Sequence, residues 1–318
     1  MTRAKSANGR AFQIKPLSPS IKIKNFKLNS GTGTKNLELG TWNFLLLRMN
    51  THNIGSIRIG TSAWMNKDWG ETFYPKELTE GHLTYFAERF PTVEVNTTFY
   101  HLPRKSTFQK WTEETPEDFV FAVKLSRYIT HRKRLKGIRE PLERFIKRSS
   151  PMKEKLGVIL VQLPPFLKYS KPLLRSFVES ARVVTQRNYP VRFALEPRHV
   201  SWKDAGAMED IRALLKEVHI GLVFAHSASI MSYSPEQQNI TSDFVYVRFH
   251  GPGEFGASRY GSRRLRPWAV RMVAWSNQGL QVFAYFNNDE HGHAIHDART
   301  LQFQIEKAGF GKNLKFQK

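Results

Sequence analysis

Glu94, Lys124, Gln162, Glu196, Arg198, Arg248, His250 and Asn288 each stand at or just beyond the end of a short apolar run. A pair of carboxylates such as Glu94 and Glu196 can divide the work of general acid and general base between them, with His250 assisting. The same two carboxylates with His250 and Asn288 would suit magnesium, manganese or zinc. No His-x-x-x-His or Asp-x-Asp spacing selects a metal, so a divalent ion is one option and its identity is unknown. Lys124, Arg198 and Arg248 need counter-charge, and guanidinium forks take phosphate or carboxylate in two-pronged fashion. A bound anion and the glutamates themselves are equal alternatives for it, the second leaving only a structural network. Lys124 is also a conceivable Schiff-base amine. Asn96, Gln162 and Asn288 would orient a substrate, with Tyr100 and His131 contacting it from adjoining loops.

Several chemistries fall away. The chain has no cysteine, which removes disulfides, thiolate metal sites and thiol nucleophiles. Ser62 has no Gly-x-Ser-x-Gly elbow around it. The stretch Gly251-Pro-Gly253-Glu-Phe-Gly256 lacks both the Lys-Ser/Thr of a phosphate-binding loop and a dinucleotide fingerprint, so no nucleotide cofactor is expected. It is expected to form a mobile lid with three glycine hinges.

The elements that must carry these residues alternate. Runs at Ile57 to Thr61, Thr92 to Asn96, Phe119 to Lys124, Gly157 to Leu163, Val191 to Glu196, His219 to Phe224, Phe244 to His250 and Gln281 to Asn287 read as strands. Helix-period segments lie between most of them, at Gly81 to Phe90, Leu173 to Val184, Asp204 to Val218 and Ala294 to Ala308. A doubly wound sheet could use the same units. Eight βα units in this length match a closed (β/α)8 TIM-type barrel of parallel strands, whose strand ends converge on one face.

Of the 318 residues, 40% are hydrophobic and 13% aromatic, enough to bury a sizeable core. The net charge of +22 calls for an anionic partner, either a small molecule or nucleic acid. Residues 1–48 hold nine Lys/Arg and one acid with no sustained period, so residues 1–50 are expected to be a disordered basic tail ahead of a barrel over 51–318. Met49 is a possible true start. No apolar run approaches the ~20 residues of a membrane span, and no secretory signal is evident, so a cytoplasmic protein is expected. The oligomeric state is not readable.

Two basic stretches, Arg127 to Lys136 and Arg259 to Arg266, should share the rim, with Tyr128 and Tyr260 able to stack bases or sugars. Trp64, Trp69, Phe99, Tyr100 and Trp202 lie in the same set of loops, where each either stacks a ligand or packs beneath the loop. Arg263 and Arg264 fall where a helix should begin, an end that disfavours cations.

The segments Ile59-Gly-Thr-Ser-Ala-Trp64, Val93-Glu-Val-Asn96, Phe121-Ala-Val-Lys124, Val161-Gln-Leu-Pro-Pro165, Leu195-Glu-Pro-Arg-His199, Tyr246-Val-Arg-Phe-His-Gly251 and Tyr285-Phe-Asn-Asn-Asp289 resemble, in order, the YecE-like family known as domain of unknown function 72. The resemblance covers about residues 57–308. It implies a TIM-type barrel and no established reaction. Ala225-His226-Ser227 stands where such proteins often carry an acid, and Asp297 stands where an Asn is common. The expectation is an enzyme of hydrolase or isomerase type acting on a phosphorylated or otherwise anionic substrate at the barrel mouth. The alternative is a non-catalytic nucleic-acid-binding module using the basic rim.

Overall fold

The computed structural model describes residues 55–310 except 71, 188–190 and 229–232. The expected tail and the Met49 start lie outside the described residues. Eight parallel strands, β1 Ile57–Thr61, β2 Thr92–Val95, β3 Val120–Lys124, β4 Leu156–Gln162, β5 Arg192–Glu196, β6 Gly221–His226, β7 Phe244–Phe249 and β8 Gln281–Phe286, run in the order β1-β8-β7-β6-β5-β4-β3-β2. This is a nearly closed (β/α)8 barrel. β1 and β2, at the two ends of that order, approach so closely that a Cβ on Gly60 would lie 2.0 Å from the Thr92 carbonyl oxygen. Only glycine fits there.

Helices wrap the outside: α1 His82–Ala87, α2 Thr97–Tyr100, α3 Lys105–Glu113, α4 Arg139–Ser149, α5 Lys171–Arg187, α6 Ala205–Glu217, α7 Gly261–Asn277 and α8 His293–Ile305. Among the described residues no helix is long and apolar enough to cross a membrane. The period of two in each strand makes two cores. Ile57, Val93, Phe121, Ile159, Leu195, Val247 and Val282 pack outward under the helices. Val120, Ala122, Val158, Leu160, Ala194, Phe244, Tyr246, Phe283 and Tyr285 fill the barrel itself.

That alternation puts Glu94, Lys124, Gln162, Glu196 and Arg248 on the inward phase, in the layer above the apolar plug. The register supports it, since Gln162 lies beside Glu196 and Arg248 beside both Ala225 and Tyr285. His226, which ends β6, falls on the outward phase instead. Its ring meets Tyr260 and Trp268 under α7, so it does not belong to the mouth.

α7 starts where two arginines follow at once, and the reason lies in another helix. Asp297 of α8 is fully buried and accepts from the Tyr260 and Gly261 amides at 2.8 and 3.1 Å. Its carboxylate meets the positive end of the α7 dipole, leaving Arg263 and Arg264 exposed. Asp297 thus caps the start of this helix.

Candidate functional site

Arg248 is the hub of the mouth, fully buried and fully paired. Its Nε and Nη2 donate to the two oxygens of Glu94 at 2.9 and 2.7 Å, and Nη1 donates to Glu196 Oε2 at 2.8 Å and Gln162 Oε1 at 3.3 Å. Tyr246 adds a hydroxyl to Glu94 Oε2 at 2.7 Å. Burial opposes the guanidinium charge, but the two glutamates outweigh it and raise the Arg248 pKa. Glu94 and Glu196 therefore face one cation rather than an empty cleft between them.

Glu196 carries the network outward. Its Oε1 lies 2.6 Å from Arg198 Nη2, close enough for an ion pair but off the line of a hydrogen bond. Burial alone would raise this carboxyl; Arg198, Arg248 and Lys124 together hold it below the usual carboxylate range. His250 Nε2 lies 3.3 Å from Arg198 Nη2 and Nδ1 3.3 Å from the Asn287 amide. Arg198 can only donate, so Nε2 accepts from it; the Asn287 amide nitrogen also donates, and a neutral imidazole accepts at only one of its two nitrogens. Burial, then Arg248, Arg198 and Lys124, push the His250 pKa well below its ordinary value. Phe255 from the glycine-rich loop stacks on this ring at 5.2 Å.

Lys124 differs from the two arginines. Among the described residues its Nζ has no hydrogen bond or ion pair; it sits 4.4 Å above the Phe99 ring. Burial first, and then Arg248, bring its pKa down to about 8, against the pull of Glu94 and Glu196. His131 packs edge-on against Phe99 at 4.9 Å, and burial with Lys124 and Arg127 lowers its pKa. Tyr100 makes a T-shaped contact with Phe99 at 5.1 Å and is 59% exposed at the rim.

A third acid enters from the β8 loop. Asp289 Oδ1 is buried without a hydrogen-bond partner, and Oδ2 accepts from Ser62 at 3.4 Å. Burial pushes this carboxyl up to about 7, although Ser62 and Arg248 favour the ionised form. Ser62 also donates to Asn287 Oδ1 at 2.7 Å, and its carbonyl accepts from the Asn96 side-chain amide at 2.9 Å. Beside it a groove of about 460 Å³ is lined by Asn66, Asp68, Gly256, Asn287, Asp289 and His291. Ser62 is weighed in the sequence only as a nucleophile, and Asp289 is given no role there. The available signal is an acid three residues past β8, and its partner Ser62 lies just past β1, far away in the chain.

The expected cluster is thus assembled in large part. Glu94, Lys124, Gln162, Glu196, Arg198, Arg248 and His250 share the mouth, with Asn96 at its edge. Asn288 does not join them: its amide donates to Asp297 at 2.8 Å and to the Ser258 carbonyl at 3.0 Å. The ligand set Glu94, Glu196, His250 and Asn288 is not gathered around a common point, because Arg248 holds both carboxylates. Among the described residues no group of three or more His, Asp or Glu side chains could hold a metal ion.

Three aromatic residues lie inward: for Trp69 and Trp202 this is the packing alternative, and for Tyr260 it corrects the expected stacking role. Trp69 and Trp202 are fully buried core residues, the latter donating Nε1 to the Leu167 carbonyl at 2.8 Å. Tyr260 is buried and shares hydrogen bonds with the His226 ring and carbonyl, so it offers no face to a base. In the glycine-rich loop Gly251 and Gly256 take positive φ of 97° and 80°, whereas Gly253 does not, and its amide is pinned by Ser258 Oγ at 2.8 Å.

The comparisons agree with this barrel. The chain is 29% identical over 269 residues to the UPF0759 protein YecE of Escherichia coli strain K12, covering 79% of this chain and 93% of that protein. It is 26% identical over 268 residues to the UPF0759 protein YunF of Bacillus subtilis strain 168, covering 77% and 93%. The crystal structure of a DUF72 family protein from Thermotoga maritima MSB8 superposes with a TM-score of 0.68 at 28% identity, covering 79% of this chain and 99% of that one. The family model described as "Protein of unknown function DUF72" matches residues 58–315, and the chain belongs to that family.

Proposed function

We propose that the mouth is an enzyme site of hydrolase or isomerase type that binds the anionic group of its substrate at Lys124 and Arg198 and moves a proton through Asp289. The observation that carries this reading is the charge left over once Arg248 is satisfied. Arg248, Arg198 and Lys124 face Glu94 and Glu196, and Lys124 has no carboxylate of its own. With Asp289 protonated the mouth holds one positive charge in excess; with Asp289 ionised the excess disappears. An anion bound at Lys124 therefore favours the protonated acid, so binding itself arms the proton donor.

Glu94 and Glu196 act as the counter-ions that hold Arg248 and Arg198 rigid, in place of the acid–base pair expected from sequence. A fixed pair of cations costs no reorganisation when charge develops on the substrate. Ser62 holds one Asp289 oxygen, Asn287 couples it to His250, and the neutral His250 ring positions Arg198. The test is a panel of phosphorylated and carboxylated small molecules assayed for turnover with the unmodified protein, Asp289→Asn and Lys124→Met. Turnover lost in both variants with folding intact supports the reading. Full turnover in Asp289→Asn would show that the proton is carried elsewhere.

A further inference from the structure

Three neighbouring loops make the rim beside Lys124, and none contains an Asp or Glu. They are residues 96–104 after β2, 125–138 after β3 and 163–170 after β4. Between them they carry Arg104, Arg127, Arg132, Arg134, Lys136 and Lys168, all exposed. Each loop also turns one aromatic ring to solvent: Tyr100 at 59%, Tyr128 at 47% and Phe166 at 57% exposure. Burial would favour such rings inside, and isolated cases need no explanation, but three on adjacent loops form a patch.

The cations are interleaved with the rings rather than scattered. Lys133 Nζ lies 5.8 Å from the Tyr128 ring centre, and the Arg134 guanidinium lies 5.2 Å from that of Phe166, joining the β3 loop to the β4 loop. The backbone is strained to present them. Arg134 and Leu135 hold φ at 50° and 63°, in the left-handed region that non-glycine residues avoid, and residues Tyr128–Arg132 form a π-helical turn. Such features persist where the surroundings enforce them and gather at functional surfaces. Leu135, fully buried, supplies the anchor. From Tyr100 a chain of ring contacts runs inward through Phe99 to His131 and Lys124.

We infer that this rim is a binding surface for single-stranded nucleic acid, its bases stacking on Tyr100, Tyr128 and Phe166 and its phosphates meeting the interleaved arginines and lysines. Exposed rings with flanking cations are the combination that holds unpaired strands, whose bases show open π-faces. A duplex hides those faces, and its phosphates alone would not require the rings. The inference goes beyond the mouth reading, and binding is measured without turnover, so the two fail separately.

The test is fluorescence anisotropy of the full chain with a labelled dT oligonucleotide of about 15 nucleotides, its duplex and heparin, with the Tyr128→Ala/Phe166→Ala variant alongside. The duplex and heparin report the purely electrostatic component, including that of the basic N-terminal residues. The expected result is a loss of about tenfold or more for the single strand, with duplex and heparin affinity unchanged. The Tyr128→Trp/Phe166→Trp variant should restore single-strand binding, and it separates lost stacking from lost folding. Replacing Arg132 and Lys133 by Ser should reduce the salt slope by about two counter-ions. Undiminished single-strand binding by the alanine variant overturns the inference, as does an equal loss for heparin. So does a ring-dependent affinity for anionic lipid vesicles in place of the oligonucleotide, which would make the rim a membrane-facing surface.

Discussion

Replacing Asp289 by Asn should stabilise the protein at alkaline pH and leave it unchanged in acid. Burial raises this carboxyl from 3.8 to about 7 in the folded chain. Below about pH 3 it is protonated in both the folded and the unfolded chain, and it costs nothing. As pH rises through the ordinary carboxylate range the unfolded chain ionises first, so stability falls until the folded group ionises near 7, and the penalty is complete above that. A shift of three units corresponds to a ceiling of roughly 4 kcal/mol. Asp289 borders an open groove, where solvent screens part of that cost, so the expected gain for Asp289→Asn at pH 8 is about 1–2 kcal/mol. Urea unfolding followed by tryptophan fluorescence at about pH 3 and about pH 8 measures it, and taking the difference between the two proteins cancels every other titration. Equal destabilisation at both pH values would mean that the Ser62 hydrogen bond, and not a buried and penalised acid, defines the residue.

Two further substitutions probe the scaffold. Glu94→Gln keeps the shape but leaves the buried Arg248 guanidinium short of half its counter-charge, and should cost on the order of 3–5 kcal/mol in chemical denaturation. A near-neutral result would mean that water or a bound anion reaches Arg248. Gly60→Ala forces a methyl against the Thr92 carbonyl where β1 meets β2, and should cost at least about 1–3 kcal/mol in the same assay. A wild-type midpoint would show that the two strands part freely.

Much of the barrel is legible in the sequence because parallel strands buried on both faces leave short, dense apolar runs ending in a polar residue. β6 is the informative miss. The pattern suggests His219 to Phe224, but His219 takes a positive φ of 54° to close α6, and the strand begins at Gly221. Apolar density cannot register that turn. At the mouth, residue types at strand ends mark the cluster, whereas their pairing is not local. Arg248 takes its partners from β2 and β5, so the same sequence fits an acid–base pair or two counter-ions. Tyr260 looks like a ligand platform, and Trp202 fits either a platform or a packed ring, for a similar reason: an aromatic beside a loop reads alike whether it points up or beneath. The role of Asp289 is not local either, because its hydrogen-bond partner Ser62 lies 227 residues earlier.

The central claim, that the mouth binds an anion at Lys124, is tested most directly by melting temperature against inorganic phosphate at constant ionic strength. The melting temperature should rise with the logarithm of phosphate concentration, by mass action on the folded state. That rise should vanish in Lys124→Met and persist in the Tyr128→Ala/Phe166→Ala variant. A flat response in the unmodified protein, or a rise that survives in Lys124→Met, would contradict it.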